Sequence, residues 1–317
     1  MRMLASLLLF CSLAFAESKS LAVQICLDRE GYSCNAIDGV WGAKSVRALK
    51  SYLRNHGGFC QATAPLTSEA EIDDIYDRHF ADEDNLFRIA EVTQADLDAL
   101  VQIPQEASAK SRLKRMGYES IKEMFAERGH LSQRALERMN PGVDWEHVQP
   151  GLKLAIPAFP PIEEELAAGN RNNPKAPKRP LAALVKVSLS RLEITAFDEK
   201  GKLLALFPCS IAKDKSKLPP QGELRVTSYV HHPNYTYTPD FVPAGKRAAK
   251  YVFPEGPNCP VGVAWMGLSL PGYGIHGTPR PESIGNAESH GCFRLSNWNA
   301  ARLYAMCRSG TRVVIEK

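Results

Sequence analysis

The chain has 317 residues, 44% of them hydrophobic, with 39 Lys and Arg against 35 Asp and Glu for a formal charge of +4. That suffices for two or three domains of roughly 100–200 residues each and excludes a chain disordered throughout. The near-balance of charge makes nucleic acid a poor target, and no apolar run beyond residue 16 approaches the ~20 residues that cross a bilayer, which rules out a polytopic membrane protein.

Residues 1–16 read as an export signal. Arg2 supplies a positive charge, Leu4–Phe15 a short apolar run, and Ala14-Phe15-Ala16 a small-x-small cleavage site before polar Glu17-Ser18-Lys19-Ser20. A lipoprotein reading of Leu8-Leu9-Phe10-Cys11 is disfavoured by bulky Phe10. The expected mature chain starts at Glu17, is exported to the periplasm or cell wall, and has no integral membrane segment. Of eight cysteines, Cys11 leaves with the signal and seven remain. In an oxidising compartment an odd count leaves at least one thiol unpaired, or pairs it between molecules. Cys26, Cys34 and Cys60 share one short segment, where a local disulfide is expected.

The first mature segment, 17–64, reads as helical. Leu21 and Ile25 suit a short helix ending at Gly31. Asn35–Gly42 is dense in turn residues, and Ala43–His56 places Val46, Leu49, Tyr52 and Leu53 on one face before Gly57-Gly58. Helix, Ile37-Asp38-Gly39-x-x-Gly42 turn, helix resembles the small three-helix peptidoglycan-binding domain; an ordinary helical hairpin is the plainer reading.

Residues 65–168 form a second, helix-prone segment. Leu66–Leu100 is acidic and carries no legible chemistry. Between Tyr118 and Pro157, Ile121, Met124 and Phe125, then Leu131, Leu136 and Met139, have helical spacing. Asn140-Pro141-Gly142 and Gln149-Pro150-Gly151 are turns, and Leu152–Pro157 alternates like a strand. The order over 118–157 resembles the second half of a LysM module, which binds N-acetylglucosamine glycans. No first strand is evident before Tyr118, so a structural spacer stands beside the glycan-binding reading. Residues 169–180 form a linker with three prolines and four basic residues.

After the linker the period changes to two. Leu184–Ser188, Leu192–Phe197, Leu203–Ile211, Glu223–Val230, Val261–Leu270 and Arg312–Glu316 read as strands, with one late helix over Trp298–Arg308 capped by Ser296 or Asn297. The expected fold is a mainly β catalytic domain over 181–317, preceded by small α-helical and α+β wall-binding segments. This domain holds 17 Lys and Arg against 10 Asp and Glu, whereas 17–180 holds 21 against 25. A net of +7 on the β domain favours an anionic polymer or carboxylate-bearing substrates.

The chemistry concentrates in Tyr273–Asn297. His276, His290 and Cys292 lie within 17 residues of one another, among Gly and Pro. An imidazole can take a thiol's proton and lower its pKa from ~8.5 by forming a thiolate–imidazolium pair. Three readings compete: a structural half-cystine, a zinc site from His276, His290 and Cys292, and a Cys–His acyl transferase. The spacing matches no established zinc pattern, and the clustering argues against the first.

His276-Gly277-Thr278 followed by Ser289-His290-Gly291-Cys292-x-Arg294-Leu295-x-Asn297 resembles the signature of the L,D-transpeptidase (YkuD) family. Asn258–Trp265 and Gly272–Ile275 fit the same pattern, and the resemblance covers about 182–317 as a β-sandwich with one late helix. It implies Cys292 as nucleophile, His276 as general base, and the Gly277 carbonyl as the group that orients the imidazole. Ser289, His290 and Gly291 would shape the pocket and oxyanion hole. Arg294 would hold a substrate carboxylate or brace the loop. The implied partners are peptidoglycan stem peptides and glycan strands, with no metal or cofactor. The implied reaction is a 3→3 cross-link through a cysteine thioester. Water as acceptor would make a carboxypeptidase, a protein amine an attachment enzyme, and a decayed site a wall-binding protein.

Overall fold

The computed structural model describes residues 18–57, 68–169, 178–239, 249–289 and 291–317. The expected signal, Cys60, most of the expected linker and His290 lie outside the described residues.

The N-terminal half is built from helices around one apolar core. Helix α1 (Lys19–Arg29) is buried along most of its length, and α2 (Ala43–Asn55) turns Ala48, Leu49, Tyr52 and Leu53 inward, as its spacing predicts. Helix α3 (Glu69–His79) starts with a Ser68–Glu71 capping box, each side chain satisfying an orphan backbone N–H of the other's position. Strand β1 (Phe87–Glu91) follows, then short helices α4 (Gln94–Asp98) and α5 (Ala107–Lys110). Helices α6 (Ile121–Arg128) and α7 (Gln133–Met139) precede β2 (Lys153–Pro157). The Asn140 side chain holds the turn after α7 against β2: its amide donates to Leu136 O and Ala155 O, and its carbonyl accepts from Ala155 N at 2.7 Å.

Strand β1 pairs antiparallel with β2, from Phe87↔Pro157 to Glu91↔Lys153. This strand escapes a pattern-based reading because it has no alternation. Only Ala90 is buried, while Ile89 is 65% exposed. Pairing with β2, about 60 residues away in the chain, makes it a strand. The β1–α6–α7–β2 order therefore has a first strand, set well upstream of Tyr118 by residues 92–120. The sequence division at 64/65 has no counterpart in the core. Leu21, Leu49, Ile72, Phe125, Leu136 and Ile156 belong to a single cluster. Helix α8 (Ile162–Gly169), placed by the sequence reading with the helical segment, packs Leu166 into the core of the β domain instead.

That β domain has one eight-stranded sheet, ordered β13-β11-β10-β7-β14-β3-β4-β5. Its strands are β3 (Leu184–Ser188), β4 (Glu193–Phe197), β5 (Leu203–Pro208), β7 (Gly222–His231), β10 (Ala264–Leu268), β11 (Gly274–His276), β13 (Phe293–Arg294) and β14 (Arg312–Glu316). Short strands β6 (Ile211–Ala212) and β12 (Ala287–Ser289) pair beside it, as do β8 (Tyr235–Tyr237) and β9 (Tyr251–Phe253). Phe207 from one end of the sheet and Phe293 from the other share one core with α9 (Asn297–Met306), so the sheet curls around the helix. The two layers expected of a sandwich are halves of one continuous sheet.

The two cores are joined by a polar seam. Leu206 N donates to Gly31 O and Ser33 N to Leu206 O, both at 2.9 Å, so residues 31–33 lengthen the edge at β5. Gly31 lies so close to Leu204 O that a Cβ there would sit at 2.8 Å. Within the seam Asp28 is fully buried; His130 Nδ1 donates to its carboxylate at 3.0 Å, and Arg302 of α9 approaches it at 3.4 Å. Asn299 donates to Ser33 Oγ at 2.9 Å. No disulfide forms among the described cysteines, and Cys26 and Cys34 are buried separately.

Candidate active site

Strand register assembles the site. Strand β11 runs parallel to β13, with Ile275 opposite Phe293 and His276 opposite Arg294. Ile275 and Phe293 are fully buried in the core. Alternation along each strand then puts Gly274 and His276, with Cys292 and Arg294, on the opposite face. Cys292 immediately precedes β13, so His276 and Cys292 are diagonal neighbours on adjacent strands. Both line a cavity of about 540 Å³ with Arg294, Trp265, Tyr235 and Gly272.

The imidazole is tightly held. Its Nδ1 lies 2.6 Å from the Gly277 carbonyl. A carbonyl only accepts, so Nδ1 carries the proton and Nε2 keeps its lone pair. The ring stacks on Trp265, with centroids 5.5 Å apart and planes 20° apart. Trp265 is set by its Nε1–H donating to Ser228 Oγ at 3.3 Å, and a Cβ on Gly274 would come within 2.6 Å of its ring. The Cys292 thiol donates to Gly272 O at 3.6 Å. Gly291, at φ 149°, occupies a backbone region that side-chain-bearing residues rarely adopt.

Burial dominates the electrostatics. It pushes the His276 pKa down to about 4, with the Gly277 hydrogen bond opposing and the Arg294 charge adding to the fall. Burial raises the Cys292 thiol, although the backbone at Gly274 and Arg294 act the other way. Taken one group at a time, burial favours the neutral imidazole and the neutral thiol over the thiolate–imidazolium pair expected from the sequence.

The expected residues are distributed unevenly. Cys292, His276 and Arg294 meet in the cavity, Gly277 holds the imidazole, and Gly291 precedes the thiol. The backbone of Ser289 pairs in β12 opposite Ala212; His290 is outside the described residues. Among the described residues no cluster of three His, Cys, Asp or Glu side chains could hold a metal ion.

Two residues lie behind the imidazole loop that the sequence reading gave no role in the site. Asn297 is completely buried, and its Oδ1 accepts from Val263 N at 3.3 Å. A Cβ on Gly277 would lie 2.4 Å from that oxygen, so glycine at 277 is what lets Asn297 sit under the loop that orients His276. Asn297 Nδ2 donates to the Glu127 carboxylate of α6 at 3.0 Å, and Tyr118 OH donates to the same carboxylate at 2.7 Å. Burial pushes Glu127 up to about 7. Asn297 closes the recognised motif, where the sequence reading named it as a motif residue and a candidate helix cap. Glu127 lies 170 positions away and has no sequence signal.

Residues 182–315 match the family model for the YkuD L,D-transpeptidase catalytic domain. YkuD of Bacillus licheniformis, named as an L,D-transpeptidase, is 29% identical over 184 residues, 58% of this chain and 86% of the relative. YqjB of Bacillus subtilis, named likewise, is 35% identical over 33% of this chain and 57% of its own length. Among solved structures, an L,D-transpeptidase from Mycobacterium smegmatis aligns with a TM-score of 0.34 at 20% identity, over 42% of this chain and 58% of that one. L,D-transpeptidase 3 from Mycobacterium tuberculosis, with a faropenem-derived adduct, gives 0.34 at 18%, over 42% and 60%. The chain thus spans little more than half of YqjB and of these mycobacterial proteins. Its C-terminal half is a YkuD-like, β-rich domain with a curled sheet, and residues 182–315 resemble the L,D-transpeptidase catalytic domain.

Proposed function

We propose that the chain is an exported, cysteine-dependent L,D-transpeptidase that makes 3→3 cross-links between peptidoglycan stem peptides, with Cys292 as nucleophile and His276 as general base. One observation carries the reading: a thiol and an imidazole with an unprotonated Nε2 line the same face of adjacent strands in one cavity. The match of residues 182–315 to the catalytic domain supports it.

In the proposed reaction Sγ attacks the carbonyl of the third residue of a tetrapeptide stem while its proton moves to His276 Nε2. Because burial favours the neutral pair, proton transfer accompanies attack rather than preceding it. Backbone N–H groups near Gly291 and Cys292 are the candidates to receive the developing oxyanion. The C–N bond then breaks, the proton passes to the departing D-Ala amine, and a thioester remains. An amine from a second stem attacks it, giving its proton to His276. The thiolate leaves and recovers that proton. One amide is lost and one formed, so no external energy source is required. The β1–α6–α7–β2 unit and helices α1 to α3 would hold the enzyme on glycan and raise the local stem concentration.

Incubating purified protein with disaccharide-tetrapeptide and reading the products by mass spectrometry tests this. Dimers lacking one D-Ala are expected. Shortened monomers alone would identify an L,D-carboxypeptidase, acylation only of a protein amine an attachment enzyme, and unchanged substrate a wall-binding protein. A carbapenem should acylate Cys292, and the Cys292→Ala variant should be inert.

A further inference from the structure

A buried chain of contacts runs from the N-terminal helices to the imidazole. Its centre is the Asn297 amide. Nδ2 donates to Glu127 Oε2 and to Pro257 O, both at 3.0 Å. A carboxylate and a peptide carbonyl both accept, so they fix which end of the amide is nitrogen. Oδ1 is thereby turned toward Val263 N and the backbone of two glycines. A Cβ on Gly262 would lie 2.1 Å from that oxygen and 2.6 Å from Gly277 Cα. The oxygen is thus wedged against Gly262 and Gly277. Gly277 N donates to Ala264 O at 3.2 Å, and the Gly277 carbonyl accepts from His276 Nδ1.

Glu127 is what the N-terminal half adds to this chain. It stands on α6, whose Phe125 and Ala126 pack in the N-terminal core. The backbone leading to α6 is fastened to the β domain beside Pro257. Met116 N donates to Glu255 O at 2.8 Å, Asn258 N to Met116 O at 3.0 Å, and the Asn258 side chain to Gly117 O at 2.9 Å. Gly256 permits this approach, since a Cβ there would meet Met116 O at 2.2 Å. A buried carboxyl is costly, and an apolar side chain would fill the same space at less cost. What the carboxyl supplies is an acceptor for Asn297 and Tyr118. Without it one Nδ2 hydrogen is left unpaired inside the protein. Rotation of the amide relieves that loss, and rotation moves Oδ1 away from Gly277.

We propose that Glu127 is a positioning residue for acyl transfer: by holding the Asn297 amide it fixes the Gly277 carbonyl, which keeps the His276 proton on Nδ1 and leaves Nε2 as the base for Cys292. The proposal rests on the reading of His276 as general base given above. It makes the N-terminal half part of the acylation machinery, beyond any role in holding glycan.

The test uses the full chain. Glu127→Leu should slow carbapenem acylation of Cys292 by about 10- to 100-fold, the scale set by a small misplacement of a reacting group. The half-saturating carbapenem concentration should stay nearly constant, because the step lost is chemical. Glu127→Gln still accepts from Asn297 and should recover most of the rate. Arg302→Leu, which loosens the junction of the two halves elsewhere, should acylate at nearly the parental rate. Nitrogen-15 spectra of histidine-labelled protein supply a readout that stability alone does not move. The parent and Glu127→Gln should show His276 as one Nδ1–H tautomer, and Glu127→Leu a mixture with Nε2–H. If Glu127→Leu does not fold, Glu127→Asp, which withdraws the carboxyl by one methylene, should show both changes to a smaller degree. An unchanged rate and tautomer in the folded variant would overturn the proposal, as would an equal loss of rate in Glu127→Gln or in Arg302→Leu. If the parent itself is not acylated, the transpeptidase reading fails, and the tautomer comparison still decides whether Glu127 positions His276.

Discussion

Two buried imidazoles show how the seam between the halves differs from the thiol cavity. His130 is 5% exposed and His276 4%. Burial lowers the pKa of both. Each donates Nδ1–H to a fixed oxygen, and each stacks on a tryptophan. The difference lies at the other face and edge. His130 is sandwiched between Phe159, at 3.9 Å and 9°, and Trp298, at 5.1 Å and 10°. His276 instead borders a cavity with a thiol. Burial opposes the Asp28 charge in the seam, but His130 and Arg302 outweigh it and hold the carboxyl below its usual value. No carboxylate lines the thiol cavity to play that part among the described residues. Compensated charge joins the two halves at the seam, whereas burial in the thiol cavity opposes charge on both His276 and Cys292.

The sharpest way to break this comparison is to remove one member of each set. Cys292→Ala should abolish carbapenem acylation, and His276→Ala should slow it about 10²–10⁴-fold, the usual range for losing a general base. Both should keep a melting temperature near that of the parent. Arg302→Leu should do the reverse. It strands Asp28 without its cation, at a cost of about 3–5 kcal/mol, while acylation per folded molecule stays within twofold. Urea denaturation alongside mass spectrometry reads both. Catalytic loss at Arg302 with full stability would erase the distinction.

A pH series sharpens it further. Both histidines have lowered folded pKa values, so the unfolded chain binds more protons between the unfolded value near 6.5 and the folded values. Their contribution to stability is complete above about 6.5 and is lost as pH falls through the folded values, about 4 for His276. Urea midpoints should therefore drop between pH 6.5 and 4, while the acid limb of acylation appears only near pH 4. An acid limb near 6.5 would mean that the His276 imidazole is solvated.

The smallest expected effect concerns the link between seam and cavity. Glu127 has a raised folded pKa of about 7, so its stability contribution is present below the unfolded value and lost as pH rises through 7. Glu127→Gln should raise the urea midpoint at pH 8 and leave it unchanged at pH 4, where the native carboxyl is already protonated. If the link through Asn297 to the Gly277 loop matters, alkaline acylation rates should rise in the same variant.

Much of the site was legible because its parts are close in the chain. His276, Gly277, Gly291, Cys292 and Arg294 fall in one short, glycine-rich motif, although no period-two run covers β11 or β13, the short strands beside which they lie. The burial that opposes charge on both groups was not legible, because it depends on the surrounding fold. Local periodicity likewise marked α1, α2, α6 and α7 but missed β1, which has almost no buried face of its own.

Sequence alone thus determined the helical and β halves and, in a compact motif, the thiol and imidazole that line one cavity, because these reside in local pattern. Only tertiary structure decided that the N-terminal helices share one core, that Asp28 and Arg302 lock them to the β domain, and that Glu127 reaches Asn297 behind the imidazole. Those contacts join residues 170 and 274 positions apart. Their pairing follows from the shape of two packed surfaces, which no local pattern encodes.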